Sequence, residues 1–364
     1  MSGPTVALDV TPLVAARTGI GHFVADLTAA LGALEHGPTV RPYVLSRRAP
    51  VSPDTIRLPL PAGLAVQCWG RLGWPALDAR LGDATVVHGT NFVAPPSRRR
   101  AVVVTVHDIA FARFPELCSA EAVAAGRVAA RLAKRGAWIH TPSTHVAAEV
   151  RDLFASDRVR AIPHGVPRLP PAPANGARSE IGAQAGPFIL ALGTLEPRKR
   201  HAELVAAFGR VASAHPQLRL VVAGADGPAR PSIDVAVDAL PGEIRNRVVL
   251  TGRVDDETRG ALLREASVFV YPSLYEGFGL PVLEAMSVGT PVVAARSGGV
   301  TECADGAAVL VDGEVGEVAG AIDQVLEDSA LRSQLIEAGR RRAEQFDWAT
   351  AAEAMTELYR EAAG

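Results

Sequence analysis

The stretch SVFVYPSLYEGFGLPVLEAMSVGTPVVAA, residues 267–295, contains the pattern that decides the fold. Its first seven residues form an apolar run of strand length, residues 280–288 have the apolar spacing of a helix, and residues 291–295 are a second Val-rich run. A helix between two such runs predicts a βαβ unit with parallel strands that are covered on both faces. We therefore expect an α/β protein with doubly wound parallel sheets.

The same alternation recurs on both sides of a stretch rich in Pro, Ala and Gly, which we interpret as a linker at 171–186. A length of 364 residues fits about two domains. We expect an N-terminal domain at 1–170 and a C-terminal domain at 187–346. The strand-like runs are 6–10, 85–90, 101–108, 138–143, 188–195, 218–224 and 248–254, and the helical ones are 120–135, 144–154, 202–214 and 257–266.

The composition excludes several classes of protein. No apolar run approaches the roughly 20 residues that span a bilayer, and the N-terminus lacks the features of a secretory signal. Three cysteines, Cys68, Cys118 and Cys303, lie far apart, which excludes a disulfide framework and a cysteine-type zinc site. These features predict a cytoplasmic protein.

The net charge of -2 conceals an asymmetry. Residues 1–170 contain 19 basic and 12 acidic residues, a net charge of +7, whereas residues 171–364 contain 18 and 27, a net charge of −9. This difference predicts that each half binds a different partner.

A glycine-rich loop with two acidic residues gives the first candidate site. Glu276 and Gly279 precede the predicted helix, and Glu284 lies about one turn inside it. Glycine lets the backbone approach a ligand, and a helix N-terminus favours an anion such as a diphosphate. Carboxylates accept hydrogen bonds from sugar hydroxyls, so the pattern indicates a nucleotide sugar. Two solvated surface carboxylates or the acid/base pair of a glycosidase are the alternatives.

The segment GTLEPRKRHAELVAAF, residues 193–208, again leads from a strand into a helix. Arg198 and Lys199 lie in the turn, where a guanidinium and an ammonium can neutralise a diphosphate. Of the 37 basic residues 35 are Arg, and Lys199 is one of only two lysines. Its presence in this turn therefore indicates a specific role for an ammonium group. The alternative is an ordinary basic run at a helix edge.

The motif EGFGLPVLE at 276–284, preceded by G-x-L-E-P-R-K at 193–199, resembles the retaining GT-B glycosyltransferases of family 4, also called glycosyl transferases group 1. LDVTPL, TGIG, HGTNF, VHDIAF and IPHGV resemble its mannosyltransferase-like branch. The resemblance implies two Rossmann-like domains facing a cleft, acceptor on the N-terminal side and nucleotide sugar on the C-terminal side. It also implies that a C-terminal helix at 347–363 crosses back to the N-terminal domain.

The family motifs imply roles for individual residues. Glu276 would bind the hydroxyls of the donor hexose and Glu284 the ribose diol, while Arg198 and Lys199 would stabilise the leaving nucleoside diphosphate. His107 would contact the sugar near its anomeric carbon. Thr194 stands where many relatives carry Arg, which reduces the charge available to the phosphates. The other implied donor contacts are Gly19 and Gly21 in the first βα loop, the backbone at Phe278, Gly279 and Leu280, and, near the base, Arg253 and Val254.

The resemblance implies that the chain moves a hexose, with mannose from GDP-mannose preferred, onto a hydroxyl of a glycan, a lipid-linked sugar or a small molecule. We expect no cofactor and no metal, because the sequence has neither zinc-ligand spacing nor an Asp-x-Asp motif. We expect no nucleic-acid partner, because the basic residues are not interleaved with aromatic ones. A nucleotide-sugar epimerase of GT-B fold and a non-catalytic nucleotide-sugar-binding module are the alternatives.

The predicted helix at 120–135 has a basic face. Arg127, Arg131, Lys134 and Arg135 recur at helical spacing in the basic half of the chain. This face predicts peripheral contact with an anionic membrane, at the inner face of the plasma membrane. An ordinary solvated face is the alternative, because the apolar side of the helix is mostly alanine.

Overall fold

Two units make up the chain. The computed structural model of the protein describes residues 3–14, 18–171 and 186–364. Unit 1 comprises Met1–Gly165 and Phe346–Gly364, and unit 2 comprises Val166–Gln345. The expected linker at 171–186 lies almost wholly outside the described residues.

The sheet of unit 1 has seven described strands in the order β3-β2-β1-β4-β5-β6-β7. Every pairing is parallel, and the order reverses between β1 and β4. The strands are β1 (Thr5–Asp9), β2 (Thr39–Val44), β3 (Ile56–Arg57), β4 (Val86–Gly89), β5 (Ala101–Thr105), β6 (Trp138–Thr141) and β7 (Val159–Ala161).

Six described α-helices belong to unit 1, and the last of them comes from the C-terminal segment. In that helix the carboxylate of Asp347 accepts hydrogen bonds from the N–H groups of Ala349 and Thr350, which fixes where the helix begins. Its buried residues pack with Phe23 and Val6 in one core. The helices are α1 (Gly19–Ala33), α2 (Ala62–Arg71), α3 (Ala110–Arg113), α4 (Ala120–Lys134), α5 (Thr144–Phe154) and, after unit 2, α14 (Trp348–Ala363).

The sheet of unit 2 has six described strands in the order β10-β9-β8-β11-β12-β13. All pairings are parallel, and the order reverses between β8 and β11. Strand β8, with the sequence FILAL, is buried at every position, as expected for a central strand covered on both faces. The strands are β8 (Phe188–Leu192), β9 (Arg219–Ala223), β10 (Val248–Gly252), β11 (Val268–Tyr271), β12 (Val292–Ala295) and β13 (Val309–Val311).

Helices flank these strands and complete the doubly wound α/β arrangement predicted from the sequence, which is confirmed in both units. The described helices of unit 2 are α6 (His201–Val211), α7 (Arg230–Asp238), α8 (Gly242–Arg245), α9 (Asp256–Glu265), α10 (Leu280–Ser287), α11 (Gly299–Ala304), α12 (Val315–Glu327) and α13 (Ser329–Ala343). Among the described helices, none is both long enough and apolar enough to cross a bilayer.

The boundary between the units differs from the expected one. Residues 166–170 belong to unit 2, where the guanidinium of Arg264 donates hydrogen bonds to the carbonyl oxygens of Leu169 and Pro170 at 3.2 and 2.8 Å. With α14 included, unit 1 contains 19 basic and 16 acidic residues, a net charge of +3, and unit 2 contains 18 and 23, a net charge of −5. The charge asymmetry is therefore smaller than a division at the linker indicates.

Candidate functional site

The candidate site of unit 2 lies where the strand order reverses. Strands β8 and β11 are neighbours there, and both run in the same direction, so the loops that follow them meet at one edge of the sheet. The N–H of Leu274 donates to the carbonyl oxygen of Arg198 at 2.8 Å, which ties the two loops together. Open α/β sheets bind ligands at such a switch point.

Glu276 forms the centre of this site. Its Oε1 accepts hydrogen bonds from Nζ of Lys199 at 2.6 Å and from Nη1 of Arg198 at 3.0 Å. Nζ of Lys199 also donates to the hydroxyl of Tyr271 at 2.9 Å and lies 4.9 Å from the centre of that ring. Only 11% of the Lys199 and Glu276 side chains is exposed, so this is a buried ion pair. Neither the solvated carboxylate nor the ordinary basic run describes these residues.

The charge state of Glu276 follows from these contacts. Burial by itself would raise the pKa of the carboxyl, but the charges of Lys199 and then Arg198 outweigh burial and lower its pKa to about 2. Glu276 is therefore a carboxylate at neutral pH, able to accept hydrogen bonds but not to deliver a proton. This argues against the acid role that a glycosidase requires of one carboxyl.

Gly279 shapes the loop between Glu276 and helix α10. Its φ of +105° is in the left-handed region, and a Cβ there would lie 3.0 Å from Sγ of Cys303. Glycine is therefore required at this position. Phe278 is buried before it and Leu280 begins the helix, so the three predicted backbone positions do lie at a helix N-terminus.

Glu284 does not lie on the surface either, because only 2% of its side chain is exposed. Its Oε1 accepts a hydrogen bond from Nη1 of Arg259, on α9, at 2.5 Å. The sequence does not indicate Arg259, because this residue and Glu284 lie 25 positions apart on two different helices. No local spacing indicates such a contact.

The Arg259–Glu284 pair gives a stability prediction. Arg259→Met removes the cation that contacts a carboxylate only 2% exposed, and we expect unit 2 to lose about 3 kcal/mol of unfolding free energy. The double variant Arg259→Met/Glu284→Met should recover most of that loss, since it removes the buried carboxylate as well. Urea unfolding followed by circular dichroism measures both. The control is Arg245→Met, because Arg245 is 43% exposed, and equal losses in all three variants would contradict the prediction.

Three further predicted donor contacts lie at the same edge of unit 2. Thr194 follows β8 directly after Gly193, and Arg253 and Val254 follow β10. Strand β10 ends at Gly252, two residues before the predicted end at 254, so Arg253 and Val254 are loop residues. The N–H of Gly224 donates to the carbonyl oxygen of Gly252 at 2.9 Å, and this contact joins the loop after β9 to the last residue of β10.

His107 belongs to unit 1 and follows β5 at the carboxyl edge of that sheet. One ring nitrogen, Nε2, lies 2.9 Å from the carbonyl oxygen of Thr90. Burial lowers the pKa of His107 to about 4, so the ring is neutral at pH 7. Because a carbonyl only accepts, Nε2 carries the proton and Nδ1 is left as an acceptor. His107 is thus suited to receive a hydrogen bond from a sugar hydroxyl.

A chain of buried polar side chains in unit 1 is not indicated by the sequence. The hydroxyl of Tyr359 on α14 lies 2.7 Å from Nδ1 of His88, whose Nε2 lies 2.8 Å from the hydroxyl of Thr105. Thr105 is also 2.9 Å from Nδ1 of His140, and Nε2 of His140 is 3.0 Å from the carbonyl oxygen of Ile162. These buried histidines are hydrogen-bonded core residues that connect α14 to the sheet.

One predicted placement is wrong. Gly19 and Gly21 were expected in the first βα loop, but both lie in the first turn of α1, which begins at Gly19. Three residues of the loop before it, 15–17, lie outside the described residues. Within the described ranges, no group of three or more His, Cys, Asp or Glu side chains is arranged to hold a metal ion.

Comparison with known families identifies the region that contains Glu276, Lys199 and Glu284. The family model described as "Glycosyl transferases group 1" matches residues 178–342. These residues form a group 1 glycosyl transferase domain. The resemblance inferred from the EGFGLPVLE and G-x-L-E-P-R-K motifs is thereby confirmed.

Two curated relatives extend this finding. D-inositol 3-phosphate glycosyltransferase of Acidothermus cellulolyticus is 33% identical over 230 residues, 59% of this chain and 51% of the relative. O-antigen chain mannosyltransferase B of Escherichia coli is 29% identical over 282 residues, 72% of this chain and 71% of the relative. The chain thus spans about half the length of the first relative and 71% of the length of the second.

Solved structures share the fold along nearly the whole chain. Sucrose-phosphate synthase from Thermosynechococcus elongatus has a TM-score of 0.77 at 24% identity and covers 98% of both chains. Anabaena HepE in complex with UDP-glucose has a TM-score of 0.73 at 21% identity, with 98% of this chain and 100% of that chain covered. The chain therefore shares the fold of these glycosyltransferase structures, with one Rossmann-like sheet in each unit.

Proposed function

We propose that this protein is a glycosyltransferase that moves a hexosyl residue from a nucleotide diphosphate sugar to a hydroxyl acceptor with retention of configuration. The observation that carries the proposal is the contact of Lys199 and Arg198 with one oxygen of Glu276 at the switch point of unit 2. Glu196 also accepts a hydrogen bond from Nε of Arg198 at 2.9 Å, so two cations face two carboxylates. The remaining N–H bonds of Lys199 and Arg198 suit a diphosphate, and the carboxylate of Glu276 suits sugar hydroxyls.

Lys199 has the geometry of a diphosphate ligand. Two of its three N–H bonds point to Glu276 and Tyr271, which leaves the third for a phosphate oxygen. When the bond between the anomeric carbon and the phosphate oxygen breaks, negative charge grows on the diphosphate. Lys199 and Arg198, already held in place, stabilise that charge without reorganising.

Retention and the acceptor step rest on the family resemblance. The acceptor hydroxyl forms its bond to the anomeric carbon on the face that the leaving group vacates, and its proton passes to an oxygen of the departing diphosphate. Neutral His107, with its acceptor at Nδ1, would hold a hydroxyl of the hexose, and Glu284 would hold the ribose diol. The mechanism assigns no step to a metal ion or a cofactor.

Mannose from GDP-mannose is the donor that we propose. The support is the 29% identity to an O-antigen chain mannosyltransferase over 72% of this chain. The acceptor is a hydroxyl of a glycan, a lipid-linked sugar or a small molecule.

A thermal-shift screen with GDP-, UDP-, dTDP- and ADP-sugars tests the donor. We expect GDP-mannose to raise the melting temperature most, because at equal concentration the ligand that binds most tightly stabilises the folded protein most. A ligand at 100 times its dissociation constant adds about 2.7 kcal/mol to the unfolding free energy. A larger shift with another nucleotide sugar would replace the proposed donor. No shift with any of them would overturn the nucleotide-sugar site.

The same preparation separates the two alternative functions. Incubation with the stabilising donor and no acceptor should release the free sugar slowly, because water replaces the acceptor. Conversion of the donor into an isomeric nucleotide sugar would instead identify an epimerase. Binding without any turnover, even with a panel of hydroxyl acceptors, would identify a non-catalytic module.

A further inference from the structure

Exposed apolar side chains are concentrated at one place in unit 1. Among the described residues, seven large apolar side chains are exposed, and three of them lie within eleven residues: Leu64, Leu72 and Trp74, exposed by 48%, 66% and 64%. Leu64 and Leu72 are eight residues apart, the spacing that places them on one face of α2 and its C-terminal cap. This concentration differs from the isolated apolar residues that are normal on a protein surface.

Basic side chains of α4 hold this apolar segment. The guanidinium of Arg131 donates to the carbonyl oxygens of Gly70 at 3.3 Å and Arg71 at 2.8 Å. Nη1 of Arg135 donates to the carbonyl oxygen of Gly73, the residue between Leu72 and Trp74, at 3.0 Å. Two of the four basic residues on the predicted face therefore bind the last turn of α2 and the loop that follows it, and they are not simply solvated.

The cations of this segment have no acidic residues near them in sequence. Arg71, Arg127, Lys134 and Arg135 are exposed, and no Asp or Glu occurs at 62–77 or at 122–138. The apolar residues thus protrude beside cations that have no acidic residue next to them in either segment. We call this surface the basic–apolar patch; it consists of Leu64, Arg71, Leu72, Trp74, Arg127, Arg131, Lys134 and Arg135.

We propose that the basic–apolar patch docks unit 1 onto an anionic phospholipid surface. Tryptophan is favoured at the boundary between lipid headgroups and acyl chains, where Leu72 and Leu64 can bury apolar area beside it. Lysine and arginine next to such an anchor are attracted to anionic headgroups. The patch provides both an apolar anchor and basic residues. Stable peripheral binding to a membrane requires more than one such contribution.

Charge complementarity commits the proposal to lipid. Exposed cations beside exposed apolar side chains match a negatively charged plane with an apolar interior. The inference does not depend on sugar transfer, because the patch contains none of the residues assigned to the donor.

Sedimentation with vesicles tests the proposal on the full-length protein. We expect binding to vesicles of phosphatidylcholine mixed with phosphatidylglycerol, and little binding to phosphatidylcholine alone. Raising the salt from about 0.1 M to about 1 M should weaken the binding, because the screening length falls from about 10 to about 3 Å. No binding to the anionic vesicles would overturn the proposal.

Two variants separate the apolar and the charged contributions. Leu72→Ser/Trp74→Ser should lower the vesicle affinity at least about tenfold, and Arg127→Glu/Lys134→Glu should lower it by about fivefold or more per residue. The matched controls in unit 2 are Val235→Ser, at an apolar residue 70% exposed, and Arg341→Glu, at an arginine 61% exposed. Circular dichroism checks that all variants fold.

Fluorescence gives a second measurement. Brominated lipid should quench the tryptophan emission of the parent protein but not of the Leu72→Ser/Trp74→Ser variant. Binding that survives both patch variants would overturn the proposal. So would a dimer in solution that the Leu72→Ser/Trp74→Ser variant abolishes while the parent protein ignores anionic vesicles, because the patch would then join two copies of the chain.

Discussion

Lys199→Ala is expected to lower sugar transfer by about 100- to 1,000-fold while the protein remains folded. The ammonium of Lys199 is fixed between Glu276 and Tyr271, so its third N–H is directed without any rearrangement. Its removal takes away a charge that acts on the leaving diphosphate, and the loss should appear in kcat more than in the KM for the donor.

Glu276→Ala should reduce transfer to a comparable degree for a different reason. Without the carboxylate, Lys199 and Arg198 lose the group that brings them together, and the hexose loses its acceptor for hydroxyls. The control is Arg341→Ala, which removes an exposed arginine from α13 of the same unit. Near-normal turnover in both Lys199→Ala and Glu276→Ala would refute the site.

Unit 1 is expected to lose stability steeply between pH 6.5 and pH 4. Burial lowers the pKa of His107 to about 4 and that of His140 to about 3, and it also lowers the pKa values of His88 and His164 well below the usual value. In the unfolded chain these four histidines become protonated near pH 6.5. Below that pH the unfolded state binds more protons, so stability falls as the pH falls, and it is fully present above about pH 7.

The size of this effect follows from linkage. Each histidine that is protonated only when unfolded lowers the unfolding free energy by about 1.4 kcal/mol per pH unit. The buried carboxyl of Asp9, whose pKa burial raises to about 6, binds a proton near pH 5 only in the folded state and so offsets one of the four. Near pH 5 the slope should therefore approach about three protons. All four tryptophans, Trp69, Trp74, Trp138 and Trp348, belong to unit 1, so urea unfolding followed by tryptophan fluorescence reports on this unit.

Variants assign the protons to the buried histidines. His140→Asn should reduce the slope by one proton whatever it does to stability itself, and His36→Gln, at an exposed position, should leave the slope unchanged. A stability of unit 1 that stays constant from pH 7 to pH 5 would contradict the prediction.

The spacing of apolar residues predicted helices and strands well in segments where a single period, helical or strand-like, dominates. The helix expected at 144–154 is observed as Thr144–Phe154, and that expected at 280–288 ends one residue earlier, at Ser287. Strands were predicted too long, since 101–108 ends at Thr105 and 248–254 at Gly252. Val106 and Val254 continue the apolar pattern past the strand ends, and composition does not reveal where a strand ends.

The site was predicted in its residues and only partly in its contacts. The motifs indicated Glu276, Arg198 and Lys199, and these three side chains do meet. The sequence could not indicate that Arg259 pairs with Glu284, because that contact depends on how two helices pack. Gly19 and Gly21 were misplaced because glycine suggests a loop, whereas the first turn of a helix also accepts it.

The chain position of α14 has a consequence for biosynthesis. Tyr359 on this helix lies in hydrogen-bonding distance of His88, and Met355 and Leu358 belong to the same core as Phe23. All of unit 2 lies between these partners in the sequence. On the ribosome, the domain that is begun first is therefore completed last: its core stays open until every residue of unit 2 has been translated. Nascent unit 1 must keep an apolar groove exposed throughout that interval, a period in which we expect it to depend on chaperones.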